Sequence, residues 1–239
     1  MPKYKRILVK LSGEALSDNR QKLILDAKHL DIVAKAIKTL YEQGVQLGIV
    51  VGAGNIWRGK LAEQIGIERS TADYMGMLGT IINSLALQSA VEKTGLECRV
   101  MSAIEVKAVS EPYIKKRAIS HMEKGRVVIF AGGTGNPFFT TDTTATLRAI
   151  EIDADAIFMA KNGVDGIYDA DPRTNTNANL IPEITFGELL SRNLQVMDQT
   201  AVSMIQNEDI IIHVFNMNDT DNFLRVLNGE KIGSIVKKG

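Results

Sequence analysis

One cysteine, one tryptophan, five prolines and no excess of either charge mark this 239-residue chain. Cys98 has no second thiol to pair with, and beside Leu96 and Val100 it reads as a small buried hydrophobe in a reducing compartment. Lys and Arg together number 28, as do Asp and Glu, so no basic groove for nucleic acid and no polybasic membrane patch is expected. His29, His121 and His213 are far apart and match no metal-ligand spacing, so no protein-held metal is expected. Apolar runs are all too short to span a membrane, and Met1 to Arg6 leads towards a strand rather than reading as a signal peptide. A cytoplasmic protein is the simplest expectation. Without a linker, repeat or low-complexity tract, residues 1–239 read as one domain.

What is present is organised around Gly132 to Asp142, Gly-Gly-Thr-Gly-Asn-Pro-Phe-Phe-Thr-Thr-Asp. It follows an apolar run, Val127 to Phe130, and precedes a helical pattern at Ala145, Leu147, Ala149 and Ile150. A loop at the carboxyl end of a strand, beside a helix amino end, is where open α/β sheets bind ligands. Gly132, Gly133 and Gly135 permit close backbone approach, and Thr134, Asn136, Thr140 and Thr141 add neutral hydrogen-bonding groups. Phe138 and Phe139 can wall a planar base, and Asp142 can cap the helix. An ordinary strand-to-helix turn with core-packed phenylalanines explains this stretch equally well when it is read alone.

Other strand ends repeat the theme. Ile7 to Leu11 runs into Ser12-Gly13, leaving Lys10 near the end of a strand, where it either meets a polar site or lies on a solvated edge. Asp26 to Gln43 has the period of a covering helix. Val45 to Val51 leads into Gly52-Ala53-Gly54-Asn55-Ile56-Trp57-Arg58-Gly59-Lys60, where Trp57 breaks a dinucleotide fingerprint and Leu61 breaks a P-loop. A glycine turn remains, with Arg58 either offered to phosphates or solvated.

Ser70 to Lys93 reads as a long helix capped by Ser70 or Thr71, apolar on more than one face, hence packed on its sheet and on another subunit. Asp73 in its first turn either favours the helix dipole or accepts from ribose hydroxyls. Strands are expected at Arg99 to Ala103, Ala154 to Met159, Ile210 to Phe215 and Ser234 to Lys237. Helices are expected at Tyr113 to Lys124, Phe186 to Arg192, Gln199 to Asn207 and Asp221 to Leu227. Consecutive turns cover Asn162 to Pro172, with Tyr168 either beside a base or in a hairpin. Alternating strands and helices describe an α/β fold with a parallel sheet and one functional edge.

Lys5 to Leu16, Asp73 to Leu78, Gly135 to Asp142, Val164 to Tyr168 and Val214 to Met217 together closely resemble the bacterial uridylate kinases of the amino acid kinase superfamily. The resemblance covers nearly the whole chain, and Gly135-Asn136-Pro137-Phe138-Phe139-Thr140-Thr141-Asp142 is its most specific part. It implies a three-layer αβα sandwich around a mainly parallel sheet. It also implies transfer of the ATP γ-phosphoryl group to UMP, giving UDP and ADP for UTP and CTP synthesis, with magnesium carried by the nucleotide, in a homohexamer. ATP would meet Lys10, Leu11, Ser12, Gly13, Gly54 and Arg58, with Asn162, Tyr168 and Asp171 on the adenosine side. UMP would meet Ala53, Asp73, Thr134, Gly135, Asn136, Pro137, Phe138, Phe139, Thr140 and Thr141. Lys10, Arg58 and Asp142 would be catalytic, with Asp142, and less directly Asp198, orienting Lys10.

Two departures stand out. The family's three consecutive glycines are here Gly52-Ala53-Gly54, which requires an Ala53 backbone suited to a Cβ. Ser17 to Leu25 lacks the glycine-containing segment associated with GTP activation, which argues against that activation; feedback by UTP is left open. A catalytically silent uridine-nucleotide sensor on the same fold is the competing reading.

Overall fold

A computed structural model of the chain describes residues 3–18, 20–172, 174–175, 177–194 and 196–239, without the side chains of Lys60 and Glu63. Met1 and Pro2, at the amino end expected to lead into the first strand, lie outside the described residues. The first half comprises β1 (Arg6–Leu11), a 3-10 turn (Gly13–Leu16), α1 (Ala27–Glu42), β2 (Gln46–Val51), α2 (Gly59–Gln64), α3 (Arg69–Lys93), β3 (Cys98–Ser102), β4 (Glu111–Pro112) and α4 (Lys115–Glu123). Then come β5 (Val127–Ala131), α5 (Thr141–Glu151), β6 (Ala156–Lys161), β7 (Ile167–Tyr168), β8 (Leu180–Ile181), β9 (Glu183–Thr185), α6 (Phe186–Ser191), α7 (Gln199–Ile205), β10 (Ile211–Asn216), α8 (Asp221–Leu227) and β11 (Ser234–Lys237).

Among the described residues, nine strands form one sheet in the order β4-β3-β5-β2-β1-β6-β10-β11-β9, parallel except where β11 runs against β10. The central strands are apolar on both faces because helices cover both. Leu8, Val50, Val128 and Met159 face α4, α5, α6 and α7, while Ile7, Val9, Ile49 and Phe158 face α1, α3 and α8. This is the expected three-layer sandwich. β1 lies between β2 and β6, so Lys10 sits on a central strand and the edge-strand alternative falls away.

Two helix starts differ from expectation. α3 begins at Arg69 with Glu68 at its cap position, and the Ser70 hydroxyl donates to Glu68 Oε1 instead of capping. α5 is capped by Thr140, whose Oγ1 accepts from the N–H groups of Asp142 and Thr143, so Asp142 is not the cap. A Thr cap is worth about 1 kcal/mol and frees the carboxylate behind it for other work. α3 is two-sided as expected: Ile81, Leu87 and Val91 are buried against the sheet, whereas Tyr74, Leu78 and Ile82 form a stripe 44%, 48% and 51% exposed.

Candidate active site

Lys10 Nζ stands 2.6 Å from Asp142 Oδ1, and the two side chains are 11% and 19% exposed. β1 delivers the lysine to the carboxyl edge of the sheet on the face covered by α5, and the first turn of α5 delivers the carboxylate. A charge this far from water needs such a partner; removing one member leaves the other uncompensated. Asp198, expected to share this task, does not: its Oδ2 accepts from the Thr140 and Thr143 hydroxyls and its Oδ1 from the Ala201 N–H. Burial pushes its carboxyl up, but those hydrogen bonds outweigh the effect and hold it below the usual range. Asp198 therefore caps α7 and ties it to the start of α5.

The turns after β1 and β2 meet behind this pair. A Cβ on Gly13 would fall 2.6 Å from the Gly52 carbonyl, so only glycine allows the approach. Buried Asn83 of α3 donates to the Gly52 carbonyl at 2.7 Å and exchanges amide hydrogen bonds with Asn55, which also donates to the Ile24 carbonyl. Ser12 Oγ is buried without a hydrogen-bond partner among the described residues. Leu11 places its side chain in the core and offers only backbone, its carbonyl accepting the Gly52 N–H. Ala53 is buried with an ordinary negative φ, and its methyl group occupies space that Gly79 of α3 leaves open. Arg58 is 62% exposed, pairs through Nη2 with Glu14, and donates from Nε to the Gly54 carbonyl at 3.1 Å. It borders the two turns but is held by Glu14 rather than turned towards Lys10.

The loop before α5 forms the other wall. Gly132 and Gly133 both have positive φ (74° and 60°), and a Cβ on Gly132 would come within 2.8 Å of the Ile104 N. Buried Thr80 of α3 accepts the Gly132 N–H, and buried Arg148 of α5 donates to the Gly133 carbonyl. Arg148 also pairs with Glu151 and stacks 3.8 Å from the Tyr113 ring centroid. Asp73 accepts the Phe138 N–H at 2.8 Å and two contacts from Arg69 Nε, which pins the loop to α3.

Ala53, Asp73, Asn136, Phe139, Thr140 and Thr141 line a cavity of about 280 Å³ between loop and helix. Thr134, Gly135, Pro137 and Phe138 belong to the loop but do not line the cavity. Thr134 closes a turn on Asn136, and Phe138, at φ 73°, is 64% exposed beside the Arg69 guanidinium. Of the two phenylalanines expected to wall a base, Phe139 lines the cavity and Phe138 does not; Trp57 lines it as well.

Asn162 opens onto a second cavity, of about 600 Å³, with Glu14, Asp26, His29 and Met217. Tyr168 and Asp171 do not line it. Tyr168 pairs with Leu180 in the β7–β8 ribbon, which is the hairpin alternative, and the Asp171 carbonyl accepts the N–H groups of Thr174 and Asn175.

Asn83 and Arg148, which hold the turns of the site, and Lys161, whose charge lies near Lys10, are not singled out by the sequence. The first two lie inside periodic helices, where a single polar residue at a buried position is the only available signal. Lys161 closes β6 as Lys10 nearly closes β1, and that parallel is readable.

The sequence profile of the amino acid kinase family matches residues 5–216. The chain is 56% identical to a uridylate kinase of Rubrobacter xylanophilus over 97% of its own length and 91% of the relative's. Its structure resembles the UMP kinase of Bacillus anthracis, with TM-score 0.95 and 43% identity, covering 98% of this chain and 96% of that one. The UMP kinase of Ureaplasma parvum follows at TM-score 0.92 and 40% identity, covering 98% and 99%. With the paired lysine and carboxylate at the sheet edge and likeness along nearly its entire length, the chain belongs to the amino acid kinase family, among the uridylate kinases.

Proposed function

We propose that this chain transfers the γ-phosphoryl group of ATP to UMP, giving UDP and ADP. The observation that carries the reading is the Lys10–Asp142 pair, set between the Ser12-Gly13 turn and a cavity walled by Asp73 and Phe139. UMP is a phosphate monoester whose second pKa is about 6, so its attacking oxygen is already anionic at neutral pH and needs no general base. The barrier lies in bringing two anions end to end, and fixed cations and N–H donors lower it. Lys10 would hold the group in transfer, with its direction set by Asp142. The N–H groups of the Ser12-Gly13 turn would cradle ATP phosphates, and Arg58 would join them on leaving Glu14.

UMP would occupy the cavity of about 280 Å³, its base against Phe139 and its ribose hydroxyls on Asp73. Asn162 would face the adenosine side. Magnesium fits as an ion carried on ATP phosphates, since Asp142 is engaged by Lys10 and Asp198 by Thr140, Thr143 and Ala201. There it would offset phosphate charge.

We place the enzyme in the cytoplasm, where a single free, buried Cys98 is at home. The chain would act as one domain in a homohexamer, with the exposed Tyr74-Leu78-Ile82 stripe of α3 as a subunit contact. A monomer by light scattering at micromolar concentration would contradict that assembly.

The test of function is ADP formation from ATP and magnesium with UMP, CMP, dUMP or no acceptor, each with and without GTP. Turnover confined to UMP and indifferent to GTP is expected. UMP binding without turnover of any acceptor would favour the silent sensor.

A further inference from the structure

Lys161 is a half-buried lysine to which the transfer scheme assigns no task. Its strand, β6, pairs in parallel with β1 in a register that sets Met159 beside Lys10. Side chains alternate along a strand, so Lys161, two residues beyond Met159, leaves the sheet on the same face as Lys10. That face is the one covered by α5 and α7. Lys161 Nζ donates to the Val196 carbonyl at 2.9 Å, a bond that uses one of its three N–H groups. Val196 opens the short approach to Asp198, which holds Thr140 and Thr143 at the start of α5. The ammonium is thus fixed at the junction of β6, α5 and α7, beside the charges of the transfer site.

We infer that Lys161 is a second cation of the phosphoryl-transfer site, holding a phosphate oxygen across from Lys10 with the N–H groups that Val196 leaves free. The inference rests on the kinase reading. It explains why a cation is kept near another cation: one carboxylate, Asp142, balances one lysine, and the second positive charge is balanced only when phosphate arrives. Burial pushes the Lys161 ammonium below its ordinary value and the Lys10 charge pushes the same way, while Asp142 partly offsets both. Those are the charged groups acting on it from β1 and α5; from α7, Asp198 is occupied by Thr140, Thr143 and the Ala201 N–H.

The experiment compares wild type, Lys161→Arg and Lys161→Met in steady-state turnover from pH 7 to 10, with UMP and ATP binding measured by calorimetry. Lys161→Met should lower kcat about 100-fold, as loss of one charge-stabilising donor does, with UMP affinity within about threefold. Lys161→Arg should recover most of the rate. Wild-type kcat should fall on the alkaline side below the ordinary lysine range, and Lys161→Arg, which cannot lose its proton there, should move that limb upward.

A kcat within threefold of wild type in Lys161→Met would overturn the inference. So would an unmoved alkaline limb in an active Lys161→Arg, or equal losses in both variants with UMP binding intact, since those mark a clamp on Val196 alone. Wild-type protein that binds UMP without turning it over would overturn the kinase reading itself. That result is distinct from an active wild type with an indifferent Lys161→Met.

Discussion

The methyl group of Ala53 is accommodated by the missing side chain of Gly79: a Cβ on Gly79 would stand 2.9 Å from the Ala53 Cβ. Ala53 lies in the turn after β2 and Gly79 in the middle of α3, so the alanine between Gly52 and Gly54 is met by space on the facing helix. Gly79→Ala should push the turn away, costing about 1–3 kcal/mol in stability and raising KM for UMP several-fold. Adding Ala53→Gly should restore both, a coupling read from chemical denaturation and kinetics on the four proteins of the cycle. Additive effects would show that the two positions do not share this space.

Lys10→Met should lower kcat by about 100-fold or more while leaving KM for UMP within a few-fold, because the lost interaction belongs to the transition state. Asp142→Asn should act in the same direction but less severely, as Lys10 keeps its charge and loses its orientation. Equal turnover by Lys10→Met would remove Lys10 from the mechanism.

Glu14 holds Arg58 in an ion pair that ATP phosphates would have to break in order to engage the guanidinium. The pair is largely exposed, so its hold is weak, of the order of 0.2–1 kcal/mol. Glu14→Gln should therefore lower KM for ATP by about two- to fivefold without moving KM for UMP. Initial-rate measurements at saturating UMP report this directly, and an increase in KM for ATP would show that Glu14 aids ATP binding.

His213, on β10, is buried level with Phe158 and Val9 on the face of the sheet away from Lys10, hydrogen-bonded to the Tyr4 hydroxyl at 2.7 Å and packed on Phe158. Burial, with a smaller push from Lys3, depresses its pKa to about 4 from 6.5. The unfolded chain then binds the proton more readily, so stability is complete above pH 6.5 and is lost as pH falls towards 4. The contribution is on the order of 3 kcal/mol at most. Urea midpoints between pH 4 and 7 should show the decline, and His213→Phe should flatten that part of it. An unchanged slope would place the acid sensitivity in other groups.

The sheet is legible in the sequence because β1, β2, β5, β6 and β10 are largely apolar runs, the first four leading into glycine, charge or hydroxyl groups, and helices such as α1 announce themselves by period and cap. Strands of two or three residues, such as β4, β7 and β8, are too short to carry a period, and only their partners define them. Within the site, Lys10 and Asp142 are readable as a pair, whereas Asp142 also reads as a cap that Thr140 in fact supplies. Both residue types cap well, and which one does so depends on backbone angles that the sequence does not display. Phe138 and Phe139 look alike in the sequence, yet φ of 73° at Phe138 turns it outward and leaves Phe139 to the cavity. Asn83 and Arg148 owe their roles to tertiary contacts with the Gly52 and Gly133 carbonyls.

Thr140 ends the loop and Asp142 lies in the first turn of α5, so the wall of the cavity of about 280 Å³ and the partner of Lys10 are one continuous piece of backbone. One short stretch of chain therefore carries two loads, and a substitution that shifts Thr140 would be felt at the lysine through Asp142 as well as in the cavity.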